Sequence, residues 1–350
     1  MARVLVCTGP GQVDLIDRPD PPLGAGQVRI ETLYSGISAG TEGTIVRGTN
    51  PYLAKRWDAG RRLFLGGSEP SLRYPVETWG YEEVGRVVEV ADDVTDPPPG
   101  SLVYGTWGHR ERHVASADEV RWRTVPDRLD PVAGIFSHMT AIALNGVLDA
   151  DLAIGETAVV FGLGVPGQIV VQLAARSGAR VVAVDPIAAR RELARRLTPA
   201  ATALDPRDAS VAEAVRDLTD GRGADVAIEA SGAVPALHEA IRSVAYASRV
   251  VAMGFYQGEP VGLRLGDEYH HNRIELRASQ ISGVHPSRAH RWDRRRLVTT
   301  GMRLQAEGVL SLTPLITDVL PFGRAAEAFD RLASAPNEVL QIVLRTEAAT

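Results

Sequence analysis

Three glycines in the middle of the chain have the spacing of a phosphate-binding turn. Gly162, Gly164 and Gly167 follow an apolar run typical of a β-strand, and Val165 and Pro166 lie where a helical stretch begins. In the pattern G-x-G-x-x-G the first glycine permits a tight turn, the second lets the backbone approach a pyrophosphate, and the third lets the helix pack closely on the strand. A helix N-terminus also favours negative charge. The spacing therefore predicts a dinucleotide-binding turn.

An acidic residue after the next apolar run indicates which dinucleotide binds. Asp185 follows the run 180–184, about 20 residues beyond the first glycine, as in dinucleotide-binding folds. A carboxylate here can accept hydrogen bonds from the adenosine ribose and repels a 2′-phosphate, so NAD is favoured over NADP. Arg190 and Arg191 leave an alternative open, because an arginine nearby can hold a 2′-phosphate. They can equally be solvated side chains on the following helix.

Alternating strand and helix patterns between 157 and about 283 position these residues. The predicted strands are 158–161, 181–184, 226–229, 249–253 and 275–282, and the predicted helices are 166–177, 187–196, 209–219 and 234–245. Such alternation predicts a doubly wound parallel sheet with helices on both faces. Ser231 and Gly254 then lie at the carboxyl edge of the sheet, where they could approach the adenosine ribose and the nicotinamide ribose.

The two ends of the chain have a different pattern. Short apolar or alternating runs at 3–7, 27–35, 83–90 and 101–104, separated by breaker-rich segments, predict a mainly β region up to about residue 125. A helix is expected over 130–149 with Asp130 as its N-cap. A basic helix follows residue 286, and then a strand near 315–320, a helix 323–334 and a strand 339–344 are expected.

Length and composition limit the possible classes of protein. A chain of 350 residues exceeds the usual size of one hydrophobic core, so two domains are expected, a β-rich domain from 1–130 and 287–350 and a nucleotide-binding domain from 131–286. The net charge of −5 gives no indication of nucleic-acid binding. Cys7 is the single cysteine, which excludes an intramolecular disulfide. No signal-peptide pattern and no membrane span are expected, which favours a cytoplasmic protein.

The chain resembles the medium-chain dehydrogenase/reductase family. The segment 81–85, Tyr-Glu-Glu-Val-Gly, resembles the family's Gly-His-Glu-x-x-Gly segment, and 35–42 resembles its Gly-x-Cys-Gly-Thr-Asp segment. The resemblance implies a Rossmann domain and a GroES-like catalytic domain formed by both chain ends. It also implies that Ser279 lies near the nicotinamide carboxamide. The variant segments, with the stretch 291–295, look most like a branch that includes bacteriochlorophyllide dehydrogenases.

The departures from the family pattern concern a metal. In zinc-dependent members a cysteine, a histidine and a third cysteine or glutamate bind the catalytic metal; the matching positions hold Ser38, Tyr81 and His138. Zinc prefers thiolate, imidazole or carboxylate over hydroxyl ligands, which leaves Glu82 and His138 as good donors, one fewer than a catalytic site needs. A structural four-cysteine zinc site is impossible with one cysteine. We therefore expect no zinc.

Without a metal, side chains must polarise the substrate oxygen and move its proton. An unperturbed histidine side chain changes charge near neutral pH, so His138 is the first candidate. Tyr81 could donate to a carbonyl oxygen or, with a lowered pKa, act as base, while Glu82 could orient either group. By resemblance, Thr41 would pass the substrate proton onward. Structural roles stay open for each: His138 bonding backbone, Tyr81 as a buried aromatic, Ser38 and Thr41 in a turn.

Other polar residues are weaker candidates. His109 and His113 have the spacing of a metal site only on a helix, and their segment has the pattern of strand and turn. His270 and His271 are expected to be solvated. The arginine-rich run 288–296 is expected to be a solvated helix face, with an anionic substrate group as the alternative.

Three functions are therefore possible. The first is an NAD-dependent, zinc-independent dehydrogenase acting on a small-molecule secondary alcohol or polyol. The second is a zinc-free enoyl or quinone reductase using NADPH, and the third is a nucleotide-binding protein with little catalysis. The exposed edge of the last parallel strand predicts a homodimer. Residues 47–78, including Trp57, Phe64 and Tyr74, are expected to cap the substrate pocket.

Overall fold

The computed structural model describes residues 1–67 and 69–349. It divides into two compact units. The first unit consists of Met1–His138 and the chain from Thr313 onward, and the second unit is Met139–Leu312.

Strands occur in both units and form the centre of the second. In chain order they are β1 Ala2–Gly9, β2 Gln12–Arg18, β3 Gln27–Ile37, β4 Arg56–Asp58, β5 Leu63–Leu65, β6 Glu83–Val90, β7 Leu102–Gly105, β8 Arg112–Ser116, β9 Thr157–Phe161, β10 Arg180–Val184, β11 Thr202–Leu204, β12 Ala224–Glu229, β13 Val244–Ala252, β14 Glu275–Ala278, β15 Ile316–Pro321 and β16 Gln341–Arg345.

The longer helices belong mainly to the second unit. In chain order they are α1 Thr41–Val46, α2 Ala117–Val120, α3 Ser137–Ala150, α4 Val165–Arg176, α5 Ala188–Leu197, α6 Val211–Asp217, α7 Val234–Ser243, α8 Arg294–Ala306 and α9 Ala325–Ser334. A 3₁₀ turn, Pro131–Phe136, leads directly into α3, and Asp130 is its N-cap because Oδ1 accepts a hydrogen bond from the Val132 N–H at 3.1 Å.

One sheet joins the two ends of the chain in the first unit. Its strand order is β15-β16-β3-β6-β7, and β8 also pairs with β3. The last strand, β16, lies antiparallel to β3, with Ile342 opposite Ile37 and Leu344 opposite Ser35. A core that includes Leu5, Ile37 and Phe322 packs beside it. The β-rich domain formed by both chain ends is therefore confirmed.

The second unit contains a parallel six-stranded sheet in the order β11-β10-β9-β12-β13-β14. Every residue of β9, the central strand, is buried, which explains its continuous apolar sequence. Numbered within this unit the order is 3-2-1-4-5-6, the order of the Rossmann fold. The order reverses between β9 and β12, and such a reversal opens a crevice at the carboxyl ends of the strands. The predicted doubly wound sheet is confirmed.

The boundaries between the units differ from the expected ones. Residues 131–138 belong to the first unit, where a Cβ on Gly134 would lie 2.6 Å from the Val84 side chain. Residues 287–312 belong to the second, because α8 packs on α3: a Cβ on Gly301 would lie 2.6 Å from Thr140 Cγ2. The position of this basic helix after the last parallel strand predicts that it belongs to the β-rich domain. Its packing on α3 places it in the second unit instead.

One predicted strand needs correction, and some of the observed strands were not predicted. The strand expected over 275–282 ends at Ala278, because Gln280 Oε1 accepts from the Ser282 N–H at 2.6 Å and closes a turn. The strands β2 and β11 were not predicted. The pattern of β2 alternates exposed and half-buried positions, and β11 has three half-buried residues, so neither has an apolar run.

One helical stretch of the described residues has the length and apolar composition to cross a membrane, contrary to the expectation of no such segment. It is Pro131–Ala150, and 78% of its most apolar window is buried inside the protein. Burial of this extent is typical of a core helix in a folded domain.

Candidate active site and cofactor site

In the glycine turn after β9, two of the three glycines have no room for a Cβ, and the third, Gly164, has open space beside it. Gly162 has a φ of +84°, and a Cβ on it would lie 2.6 Å from Ser231 Cβ. A Cβ on Gly167 would overlap the carbonyl oxygen of Gly162. Gly164, the N-cap of α4, would meet nothing nearer than Pro166 Cδ at 4.0 Å. The backbone at Gly164 is therefore open to a phosphate, in agreement with the predicted local geometry.

Asp185 is fixed by the backbone on both of its carboxylate oxygens. Its side chain lies just beyond β10 and is 3% exposed. Oδ2 accepts from the Leu163 N–H and Oδ1 from the Ile187 N–H, both at 2.7 Å. Each oxygen keeps a further lone pair, so the carboxylate can still accept from the two hydroxyls of a ribose.

The two arginines of α5 have different surroundings. Arg191 donates to the Asp185 carbonyl oxygen at 2.6 Å and pairs with Asp205 at 2.9 Å, so the alternative of a solvated side chain is wrong for Arg191. The Arg190 guanidinium lies 4.0 Å from Asp185 Oδ2 and is 24% exposed. Arg190 is thus the arginine of this pair that remains partly open to solvent beside the acid.

The carboxyl ends of the parallel strands β12, β13 and β14 lie side by side at one edge of the sheet. The buried Glu229 accepts from the backbone N–H groups of Ser231 at 2.7 Å and Gly232 at 3.1 Å, and from the Ser231 and Tyr256 hydroxyls. The hydroxyl proton of Ser231, a predicted ribose contact, is therefore committed to Glu229. A Cβ on Gly254 would overlap the Gly232 nitrogen, so the loops after β12 and β13 are in close contact.

Ser279, the remaining predicted cofactor contact, directly follows β14. Its N–H donates to the Ala252 carbonyl oxygen at 2.9 Å, and its hydroxyl accepts from Asn145 Nδ2 at 3.3 Å. Ser279 therefore lies at the same edge as the glycine turn, with its hydroxyl proton available for donation.

The five candidate catalytic residues lie together in the first unit. Tyr81 precedes β6, and its hydroxyl donates to Ser38 Oγ at 2.5 Å. Thr41, the first residue of α1, also hydrogen-bonds Tyr81. The ring of His138 stands edge-on to the Tyr81 ring, with centroids 5.0 Å apart. The neighbouring Glu82 is fully buried, and its Oε2 accepts from Gln341 Nε2 of β16 at 3.0 Å.

A buried histidine and two further glutamates surround this cluster, and sequence reasoning missed them. His109 Nε2 lies 2.8 Å from Glu42 Oε2, and Nδ1 lies 2.7 Å from Ser35 Oγ. Ser35 in turn donates to Glu83 Oε1 at 3.3 Å. The side chains of Glu42, Glu83 and His109 are each at most 1% exposed. We call these four residues, Ser35, Glu42, Glu83 and His109, the histidine network.

Signals for the histidine network are present in the sequence. Glu82 and Glu83 are adjacent at the start of an apolar strand, where alternation turns one of the two towards the core. The four-residue spacing of His109 and His113 would suit a metal site only on a helix, so this spacing gave no reason to select His109 by itself. The structure agrees that the segment is not helical, since β8 begins at Arg112. The pairing with Glu42 depends on a contact between distant segments, which no local spacing encodes.

Burial sets the protonation of the cluster. Burial, together with the nearby Glu42 and Glu82 carboxyl groups, raises the pKa of Tyr81 far above its ordinary value. The hydrogen bonds of Tyr81 with the hydroxyls of Ser38 and Thr41 lower the pKa, but by less. Burial, and repulsion from the negative charges of Glu42 and Glu83, raise the pKa of Glu82 well above the usual range. Tyr81 is thus a hydrogen-bond donor at neutral pH, and the alternative in which a lowered pKa makes it a base is disfavoured.

Within the histidine network, a positive charge on His109 compensates the negative charge of Glu42. Burial raises the pKa of Glu83 to about 7. Burial alone would lower the pKa of His109, but the Glu42 carboxylate outweighs it and the pKa is raised. An imidazolium at His109 therefore compensates Glu42 inside the protein, as a buried ion pair requires.

The donors near Ser38 and Tyr81 do not fit a zinc ion. The two hydroxyls hydrogen-bond each other, and a raised Tyr81 pKa disfavours the phenolate that would be needed to bind a cation. Within residues 1–67 and 69–349 no three His, Cys, Asp or Glu side chains are grouped so that they could hold a metal ion. No step of the chemistry below uses a metal.

Comparison with known proteins identifies the class of this chain. Residues 166–294 match the model of a family described as zinc-binding dehydrogenase. D-guloside 3-dehydrogenase of Escherichia coli K12 is 31% identical over 332 residues, which cover 93% of this chain and 95% of that protein. The crystal structure of 2R,3R-butanediol dehydrogenase from Bacillus subtilis has a TM-score of 0.79 at 21% identity and covers 99% of both chains.

A further solved structure of the same fold was determined with a cofactor. It is a short chain alcohol dehydrogenase from Escherichia coli CFT073 complexed with NADH, with a TM-score of 0.77 and 19% identity, covering 98% of this chain and 99% of that one. The protein is thus an NAD(P)-dependent oxidoreductase with a Rossmann and a GroES-like domain. The chain belongs to the medium-chain dehydrogenase/reductase family. These matches do not support the narrower resemblance to bacteriochlorophyllide dehydrogenases.

The two kinds of glycine in the turn predict different defects. Gly167→Ala should lower the free energy of unfolding by roughly 3 kcal/mol, because the new methyl group overlaps backbone that cannot move aside. Gly164→Ala should stay within about 0.5 kcal/mol of the parent, yet weaken dinucleotide binding at least about tenfold, since its Cβ occupies the space open to the phosphate. Urea unfolding and calorimetric titration with NAD measure the two effects. A Gly164→Ala protein with parental affinity would contradict the assigned phosphate position.

The buried ion pair predicts strong coupling between Glu42 and His109. Each single variant, Glu42→Gln and His109→Gln, should lose roughly 3–5 kcal/mol of stability, because the partner charge stays buried without compensation. The double variant should lose clearly less than the sum, and the exposed Glu338→Gln in the same unit should lose almost nothing. Losses that add would show that the two side chains do not interact as ions.

Proposed function

We propose that this protein is an NAD-dependent oxidoreductase that interconverts a secondary alcohol and a ketone on a sugar or polyol, without a catalytic metal. The observation that carries the proposal is the Tyr81–Ser38 hydroxyl pair, in which burial, with the nearby Glu42 and Glu82, raises the pKa of Tyr81 and keeps it neutral. The relatives of this protein by sequence include a D-guloside 3-dehydrogenase.

The hydroxyl pair supplies the hydrogen bond that polarises the substrate oxygen. When Tyr81 donates to Ser38, the Ser38 hydroxyl proton remains free and can be donated to a carbonyl or alcohol oxygen. A donor preorganised in a buried site stabilises the negative charge that develops on that oxygen during the reaction. Bound nicotinamide supplies or accepts the hydride at carbon.

The proton on the substrate oxygen needs a separate carrier. Tyr81 is a poor base because its pKa is raised, so it does not take the proton from an alcohol at neutral pH. His138, whose ring packs edge-on against Tyr81, is the group that exchanges this proton. Thr41 hydrogen-bonds Tyr81 and orients its hydroxyl.

The preference for NAD rests on Asp185. Its carboxylate is buried and fixed by two backbone N–H groups, so it cannot turn away from a 2′-phosphate. Arg191, which could otherwise have neutralised such a phosphate, is paired with Asp205. Arg190 then packs beside the adenosine of NAD.

A second copy of the chain is proposed to pair with β14. This strand is the edge of the parallel sheet, and Leu276 on it is 37% exposed. Exposed strand edges that carry apolar side chains favour pairing with another chain.

Turnover without metal tests the proposed chemistry. Chelator-washed protein supplied with NAD and a panel of glycosides, polyols and simple secondary alcohols should produce NADH. Tyr81→Phe removes the hydrogen bond that orients the Ser38 hydroxyl, so it should lower kcat by about 10²-fold, the lower end of the range for loss of a preorganised donor, and leave the affinity for NAD within about twofold of the parent. The exposed Tyr246→Phe is the matched control. Turnover of enones alone, or activity that depends on added zinc, would refute the proposal.

Removal of one charge tests the cofactor preference. Asp185→Asn keeps the shape of the side chain but loses the charge, so the ratio of NADP to NAD affinity should rise at least about tenfold, since hydrogen bonds to charged groups contribute roughly 1.5–3 kcal/mol. Calorimetric titration with each dinucleotide gives both affinities. An unchanged ratio would show that Asp185 is not the origin of the preference for NAD.

A further inference from the structure

Two aromatic rings of a small hairpin in the first unit and a third ring from the turn before it are joined through Phe64, which contacts the other two. Trp57 of β4 lies opposite Phe64 of β5 in the register, with ring centroids 4.9 Å apart and planes at 56°. The ring of Tyr52 meets Phe64 edge-on at 5.3 Å. Trp57 is 37% exposed and Phe64 is 42% exposed, whereas Tyr52 is half-buried. We call Tyr52, Trp57 and Phe64 the aromatic platform.

This exposure is not explained by packing alone. A cross-strand aromatic pair stabilises a two-stranded hairpin, which accounts for the contact between Trp57 and Phe64. It does not account for the solvent exposure of more than a third of each of these two side chains. Contiguous exposed apolar groups on a soluble protein are a common feature of ligand-binding surfaces.

Hydrogen bonds fix the platform to the segment that carries Thr41. The Tyr52 N–H donates to Asn50 Oδ1 at 3.1 Å, and Asn50 Nδ2 donates to Thr44 Oγ1 at 2.8 Å. The Thr44 hydroxyl donates to the Thr41 carbonyl oxygen at 2.6 Å. Asn50 and Thr44 are 6% and 0% exposed, so this connection is buried and shielded from water. The platform therefore has a defined position relative to the helix that provides Thr41.

We propose that the aromatic platform binds the ring of a hexopyranoside substrate, which makes a cyclic sugar, rather than an acyclic polyol, the preferred substrate class. The inference rests on the proposed function. A pyranose ring presents axial C–H groups on one face, which pack on aromatic rings, while its hydroxyls point outward around the edge. Lys55, Arg56, Arg61 and Arg62 are exposed around the hairpin and supply donors for those hydroxyls.

Two substrates distinguish ring recognition from general effects. One is a methyl hexopyranoside, and the other is 2R,3R-butanediol, which has a secondary alcohol and no ring. Trp57→Ala should raise KM for the glycoside roughly 2–10-fold, as expected for the loss of one aromatic contact, with kcat within about threefold and KM for butanediol unchanged. Trp57→Phe keeps the cross-strand pair and should recover part of the affinity. Val319→Ala, an exposed apolar residue of the same unit, is the control.

A binding measurement separates failure of this inference from failure of the proposed function. Tryptophan fluorescence titrated with the methyl hexopyranoside should change for the parent protein and respond less for Trp57→Phe. If the parent oxidises neither compound but this titration behaves as expected, the proposed function fails and the platform stands. If Trp57→Ala alters both substrates equally, or changes only the oligomeric state, the hairpin has a structural or subunit-contact role and the inference is overturned.

Discussion

Burial of charge in the first unit is the constraint on which the rest of this account depends. Glu42, Glu82 and Glu83 are all removed from water, and His109 is the cation paired with Glu42. Because an unpaired buried charge is costly, the protein must keep protons on some of these groups. Glu82 and Tyr81 are consequently held towards their neutral forms. A site with this protonation pattern donates hydrogen bonds and offers little to a metal cation.

In the proposed mechanism, the same constraint lets two hydroxyls take the place of the metal that relatives described as zinc-binding dehydrogenases would use. A metal polarises a substrate oxygen by its charge, whereas a fixed O–H group does so with a dipole that is already oriented. The dipole is weaker, but in a water-poor site it is opposed by few competing interactions. Hydride chemistry remains with the dinucleotide, whose turn and acid lie in the second unit.

The nucleotide-binding part of the fold could be predicted from the sequence because each of its elements is locally encoded. The buried run before Gly162 and the spacing to Gly167 place β9 and α4 within a residue or two of their observed bounds. The strands β2 and β11 were missed because they are half-buried. The assignment of α8 failed because its contact with α3 joins residues far apart in the chain.

The candidate site was only partly predictable for the same reason. Ser38, Tyr81, Glu82 and His138 were selected because they align with a family pattern, and the structure brings them together with Thr41. His109 has no such alignment, and its significance comes from the carboxylate of Glu42 that folding places 2.8 Å from its ring. Pairing across distant segments is set by tertiary structure, and a single sequence does not contain it in readable form.

Calorimetric titration of zinc into the folded, chelator-washed protein tests the central claim most directly. The account predicts that the parent binds no stoichiometric zinc at micromolar concentrations, whereas the double variant Ser38→Cys with Tyr81→His, which restores a thiolate and an imidazole, gains a measurable site. Tight binding of one zinc ion by the parent protein, lost on replacement of Glu82 or His138, would contradict it.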